Sequence, residues 1–132
     1  MKMQTLRLPE QEIPVAHGAD ICVVGGSCTG VFAAVTAARL GARVALVELN
    51  GLFGGVATAG LVNIWHSLHD AEGKRQIIAG LTGEMIDRLK RRDASGPAHG
   101  LCYVLNTAEL ALELDALLVE TGVRPFLHAM FS

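Results

Sequence analysis

The sequence predicts an α/β fold: a parallel sheet that opens with a βαβ unit, in one incomplete domain over residues 19–132 that stops after its third strand. Three observations predict it. Short apolar runs at 19–24, 43–48 and 123–131 have the length of strands rather than helices. Longer stretches with helical spacing separate them, and glycines stand at the junctions. A strand, a helix and a second strand within about 30 residues form a crossover whose strands run parallel.

Each element has its own reason. Residues 1–18 form a polar leader, with a candidate short strand at Ile13, Pro14 and Val15. Ala19 to Val24 is an apolar run ending in glycine and reads as a buried strand, with Cys22 as a core filler. Thr29 to Leu40 is alanine-rich and helical, and Gly41 stops it. Arg43 to Glu48 is the second strand. Asn50 to Gly60 is a glycine-rich loop, and Leu61 to Trp65 is a short strand or a helix start. Lys74 to Arg92 reads as an amphipathic helix, because Ile77, Ile78, Leu81, Met85, Ile86 and Leu89 share a stripe. Lys90, Arg91 and Arg92 suit the negative end of its dipole, and read as a solvated helix end. Asp93 to Gly100 is a loop. Asn106 caps a further helix, with Glu109 at capping-box spacing. Leu110, Leu114, Leu117 and Leu118 are its buried stripe, and Gly122 ends it. Val123 to Phe131 is the third strand, still running as the chain reaches Ser132. Pro125 cannot donate to a ladder, which puts that strand at an edge.

Composition narrows the function. The chain is 51% hydrophobic and 18% charged, with a net charge of −2. Such a chain is too apolar for intrinsic disorder and has no electrostatic draw toward nucleic acid. Residues 21–38 and 49–69 carry no charge and approach the roughly 20 residues of a membrane helix. Glycines interrupt both, so they read as strand, turn and helix instead. No apolar signal segment is visible in residues 1–15, and a cytoplasmic location is expected. The three cysteines, Cys22, Cys28 and Cys102, are odd in number and unpatterned, which argues against a disulfide scaffold. So much apolar residue in 132 positions predicts an unpaired sheet edge and exposed apolar surface.

The informative segment is D-I-C-V-V-G-G-S-C-T-G-V-F-A-A. The pattern G-x-G-x-x-G falls on Gly25, Gly26, Ser27, Cys28, Thr29 and Gly30. Gly25 makes the tight turn out of the strand. The helix N-terminus aims backbone amides at a diphosphate. Gly30 lets the helix pack close to the sheet. Ser27 stands where the pattern has its middle glycine; its Cβ crowds the diphosphate approach, while its hydroxyl can donate to a phosphate oxygen. Glu48 follows Gly25 by 23 residues, near the spacing of about 20 at which an acidic residue receives the adenosine ribose. A carboxylate there accepts from ribose hydroxyls and repels a 2′-phosphate, which disfavours NADP. The structural alternative is a glycine turn in an unrelated α/β protein with Glu48 merely solvated.

The stretch L-N-G-L-F-G-G-V-A-T-A-G, from Leu49 to Gly60, resembles the second glycine motif of flavoproteins with a glutathione-reductase-like FAD domain. Gly54, Gly55 and Thr58 match it. The run from Ile13 to Trp65 resembles the N-terminus of bacterial FAD-dependent oxidoreductases. The helix from Lys74 and the L-x-x-x-G-V entry at Leu118 suit the same plan. The resemblance implies a partial Rossmann-like FAD-binding domain and FAD as cofactor. It implies that Gly25 to Gly30 hold the diphosphate and that Glu48 and Leu49 hold the adenosine side. Gly54, Gly55 and Thr58 would run along the diphosphate and ribityl chain, and Met130 or Phe131 would pass the adenine. It also implies flavin-mediated hydride or electron transfer on a small-molecule substrate that the residues leave unknown. That family carries more chain, so a remaining enzyme domain or a partner chain is expected. The alternative is a non-catalytic dinucleotide-binding module completed by a partner. His66 and His69 form an H-x-x-H pair with no further ligands, so no metal is expected. By resemblance they lie near the flavin ring as candidate proton donors, and no catalytic residue is assigned. His17, His99 and His128 read as surface or strand residues. No histidine lies in the second glycine motif, so covalent flavin attachment is not expected.

Overall fold

The computed structural model describes residues 5, 10 and 12–131. Half of the expected polar leader, residues 1–4, 6–9 and 11, and Ser132 lie outside the described residues. The elements run β1 (Ile21–Val24), α1 (Cys28–Arg39), β2 (Val44–Val47), β3 (Ile64–Trp65), α2 (Leu81–Lys90), β4 (Ser95–Pro97), β5 (Tyr103–Leu105), α3 (Thr107–Thr121) and β6 (Arg124–Phe126). Short 3₁₀ turns sit at Gly55–Ala57 and His99–Leu101.

The parallel sheet has the order β1-β2-β6. Its register pairs Ile21 with Val44 and Leu46 with Pro125. The predicted βαβ unit is therefore present, and the proline-bearing strand lies at an edge among the described residues. Helices α1 and α3 pack on one face. Val31 and Val35 of α1, Val44 and Leu46 of β2, and the leucine stripe of α3 share one core. Asn106 caps α3: its Oδ1 accepts from the N–H groups of Ala108 (3.0 Å) and Glu109 (3.2 Å). The Glu109 carboxylate accepts from Arg92 Nε at 2.7 Å.

Charged groups tie the helices together. Arg88 of α2 donates to Glu84, to Glu113 and to Glu120, the last two on α3. Arg39 of α1 donates to both oxygens of Glu84 at 2.7 and 2.9 Å. Just before β1 and β2 begin, Arg43 grips the Asp20 carboxylate through its side chain and its own N–H.

Several expectations fail, each for a tertiary reason. The helix predicted from Lys74 starts at Leu81. The N–H groups of Ile77 and Ile78 donate instead to the carbonyl of Leu68. Ile77 is 61% exposed, so the first two residues of the predicted stripe, Ile77 and Ile78, are not part of a helix face. The loop predicted at 93–100 contains β4, which joins β3 and β5 in a second, antiparallel sheet of order β3-β5-β4. The third strand is only three residues long. Beyond it the chain turns through His128 (φ +52°), so Met130 and Phe131 are not strand residues and both are exposed. Ile13 and Val15 are exposed coil, not a strand. Cys22 is exposed rather than core. Alternate residues of a strand face opposite ways, and the main core cluster lies on the side that Val23 faces.

On the other side, Val24 is 56% exposed. The outer edge of β1 has no strand partner among the described residues. The predicted open edge and exposed apolar surface are both present.

Candidate functional site

The site is built where β1 and β2 end. Gly25 leaves β1 at φ +99°, a backbone conformation that favours glycine. Its N–H still donates to Val47 at 2.8 Å, so the turn begins on the sheet's own ladder. Gly30 is required by contact rather than by φ. A Cβ there would collide with the carbonyl of Gly25. That close approach seats the first turn of α1 on the loop.

Ser27 is the N-cap of α1, and its Oγ accepts from the Gly30 N–H at 3.3 Å. A helix gives the N–H groups of its first turn no intrahelical acceptor. Ser27 meets part of that need while remaining exposed itself. Thr29 is also exposed. Cys28, expected in the loop, is the first residue of α1 and half-buried. Its Sγ donates to the Gly54 carbonyl at 3.6 Å. Burial pushes its thiol up to about 11, so it stays protonated at neutral pH.

Glu48 is buried and faces inward. Its Oε2 accepts from the Gly26 N–H at 2.6 Å. Its Oε1 accepts from the N–H and the side-chain amide of Asn50, both at 2.7 Å. Burial pushes this carboxyl up, but the donors from Asn50, Gly26 and Leu49 outweigh it and hold it below the usual carboxylate range. The side chain is therefore an anion at neutral pH, clasping the glycine loop to the end of β2. Leu49 beside it is exposed.

The second glycine motif folds back onto the first. Gly54 donates to the Gly26 carbonyl at 2.8 Å, and Ser27 and Gly54 form a parallel bridge. Gly55 lies against the Ser27 backbone, where a Cβ would sit 3.4 Å from its Cα. Thr58 is buried behind the loop, and its hydroxyl donates to the Phe53 carbonyl at 2.6 Å. It props Gly54 from inside and does not line the cleft. That cleft, about 320 Å³, opens between the two motifs and is walled by Ser27, Cys28, Thr29, Gly54, Val56 and Trp65, among others. A larger groove of about 570 Å³ runs between α1 and residues 79–82, and meets the glycine loops only at Thr29.

Two residues of this site carry no motif signature. Asn50 fixes the Glu48 carboxylate. Phe53 is buried under Gly26, where an added Cβ would collide with its ring. Asn50 could have been suspected from a short polar side chain two positions after the acidic one; Phe53 left no signal. The histidines stay outside the cleft. His66 Nδ1 lies 3.9 Å from Cys102 Sγ, and the His69 N–H donates to Ser67 at 3.0 Å. Among the described residues no three His, Cys, Asp or Glu side chains gather as a metal site.

A glycine turn seated on a parallel βαβ unit, clasped by a carboxylate at the end of β2, defines a partial Rossmann-like domain of the FAD-binding kind. The model of the FAD dependent oxidoreductase family matches residues 20–132, and the chain belongs to that family. It is 31% identical over 106 residues to a dihydrolipoyl dehydrogenase of Trypanosoma brucei brucei, covering 70% of this chain and 22% of that protein. Among solved structures, it is similar to THI4 of Thermovibrio ammonificans (TM-score 0.56, 20% identity, 83% of this chain and 37% of that one). It is also similar to a geranylgeranyl bacteriochlorophyll reductase-like protein of Thermoplasma acidophilum (TM-score 0.50, 18% identity, 83% and 30%). At these identities the structural likeness is one of fold. The chain thus spans about a fifth of the curated relative and about a third of these structures. Among the described residues no helix is long and apolar enough to cross a membrane.

Proposed function

We propose that residues 19–132 bind FAD as the nucleotide-binding portion of a cytoplasmic oxidoreductase that acts on a small-molecule substrate. The observation that carries this reading is the clasp itself. Glu48 holds Gly26, Gly26 holds Gly54, and the N-terminus of α1 is left presented between the two glycine loops.

The residues fit the group in three respects. The glycine loop is drawn tight against Phe53, Glu48 and its own Gly25 carbonyl, since neither Gly26 nor Gly30 has room for a Cβ, and this fixes the amides that would face a diphosphate. The Ser27 Oγ accepts from Gly30, and its own proton is free to donate to a phosphate oxygen. Glu48 takes three donors from the chain, out of about four acceptor positions on a carboxylate. With the Leu49 N–H also directed at it, the carboxylate would share an oxygen between a chain donor and a ribose hydroxyl.

The amides from Gly25 to Gly30, with Cys28 and Thr29 in the first helical turn, then hold the diphosphate. Glu48 orients the adenosine ribose, and Leu49 lies beside it. Gly54 and Gly55 line the path of the ribityl chain, while Thr58 keeps Gly54 in place from behind. When bound, FAD supplies the acceptor for a hydride or an electron pair. The protein's part in this segment is binding and orientation.

The test is reconstitution. Protein unfolded, stripped and refolded with FAD should retain flavin absorbance through gel filtration, and ADP should compete. Protein that stays colourless, and that ADP does not bind by calorimetry, would remove the reading. A second reading, a non-catalytic module completed by a partner chain, is favoured by the open β1 edge and the exposed Val24. It predicts bound FAD that dithionite reduces but that no organic substrate reduces without a second chain.

A further inference from the structure

The cleft between the glycine loops has two kinds of lining. Ser27 and Thr29 bring hydroxyls and the helix N-terminus to it, and Val56, Val62, Ile64 and Trp65 bring apolar surface. Val56 and Val62 are more than half exposed, so this apolar wall is not part of the core.

Trp65 is the chain's single tryptophan, and it is held from two sides. β3 pairs it with Tyr103 of β5. Its ring meets Phe32 of α1 edge-on, with centroids 6.4 Å apart and planes at 90°. Phe32 packs in turn against the core. Trp65 itself packs partly against the core, stays half-buried, and lines the cleft.

Glu48 and Asn50 do not line this cleft. FAD is a polar diphosphate with adenosine at one end and a planar apolar ring system at the other. With the diphosphate at the Gly25–Gly30 amides and the adenosine at Glu48, the ring system is what remains for the apolar wall. A cleft of about 320 Å³ lies at the lower end of small-molecule sites, roughly 300–1,000 Å³. It has room for one end of a dinucleotide rather than for all of it. We infer that Trp65, braced by Phe32, is the wall against which the isoalloxazine ring of FAD packs, and so a cofactor-positioning residue. This rests on the FAD reading above. Aromatic surfaces pack in offset or edge-on pairs and add binding beyond the area they cover.

One tryptophan gives one indole N–H signal in an amide-correlation NMR spectrum of the 15N-labelled chain. Saturating FAD should shift that signal, and saturating ADP should leave it in place. Trp65→Leu should weaken FAD binding about tenfold while leaving ADP binding unchanged, and Trp65→Phe should stay within about threefold of the parent. An indole signal that FAD does not move would overturn the assignment. So would a Trp65→Leu protein whose affinities for FAD and ADP keep their parental ratio. If that variant also loses ADP, it has lost its fold, and the indole signal of the parent decides. A parent that binds neither ligand would overturn the FAD reading itself, and this assignment with it.

Discussion

Replacing Glu48 by glutamine tests whether the carboxylate is a structural clasp as well as a ribose ligand. In the parent, Oε2 receives the Gly26 N–H at 2.6 Å, and Oε1 receives both donors of Asn50 at 2.7 Å. A glutamine amide has one oxygen. If it faces Asn50, its NH₂ group confronts the Gly26 N–H, donor against donor; the flipped amide confronts Asn50 instead. With the oxygen on Asn50 one charge-assisted bond disappears, a loss of about 1.5–3 kcal/mol; with the flipped amide two do. A buried donor is also left unpaired, at about 1–3 kcal/mol. Even the first orientation predicts a loss of roughly 2.5–6 kcal/mol, a large part of the 5–15 kcal/mol that holds a typical domain folded. Urea unfolding of the ligand-free protein, followed by circular dichroism, measures it. Glu48→Ala should lose at least as much and should also weaken ADP binding. A Glu48→Gln protein within about 0.5 kcal/mol of the parent would refute the clasp, because surface changes stay in that range.

Three other outcomes follow from the same coordinates. Gly30→Ala drives a methyl group into the Gly25 carbonyl, and should destabilise the chain by about 1–3 kcal/mol or more, seen as a lower thermal midpoint; an unchanged midpoint contradicts the close approach. Arg39, with Arg88, holds the Glu84 carboxyl at about 2, below its ordinary 4.5. A depressed carboxyl contributes stability that is complete above pH 4.5 and is lost as pH falls toward 2. Denaturation midpoints should fall across that window in the parent and less so in Glu84→Gln; parallel curves would exclude this pair as the source. Finally, Cys22 is exposed, whereas Cys28 is half-buried with its thiol pushed up to about 11. Iodoacetamide at pH 7.5 should label Cys22 well before Cys28 by peptide mass spectrometry, and urea should remove the difference. Equal rates in the folded chain would contradict the burial of Cys28.

The legible parts of the fold are those with local causes. A strand of apolar residues, a glycine turn, an alanine-rich helix and a second strand follow one another from Ile21 to Val47, and each signal lies within a few residues of its effect. The Asn106 cap, the leucine stripe of α3 and the stop at Gly122 are of the same kind. The failures have distant causes. Ser95, Gly96 and Pro97 have poor strand propensity, yet they form β4 because β5 pairs with them. Ile77 and Ile78 have the spacing of a helix stripe, but their N–H groups find Leu68 first.

The candidate site divides along the same line. By itself the sequence determined the turn at Gly25, the helix start after it and the acidic residue that ends β2, since φ preference, capping and apolar run length are properties of short segments. Tertiary structure alone decided that Glu48 turns inward to Gly26, that Gly54 bridges Ser27, that Thr58 stands behind the loop and that Trp65 lines the cleft with Ser27. Apart from the Thr58–Phe53 bond, which spans five positions, these arrangements join residues some 20 to 40 positions apart in the chain. No local preference encodes them: they exist only once packing has brought the segments together and buried polar groups have had to find partners.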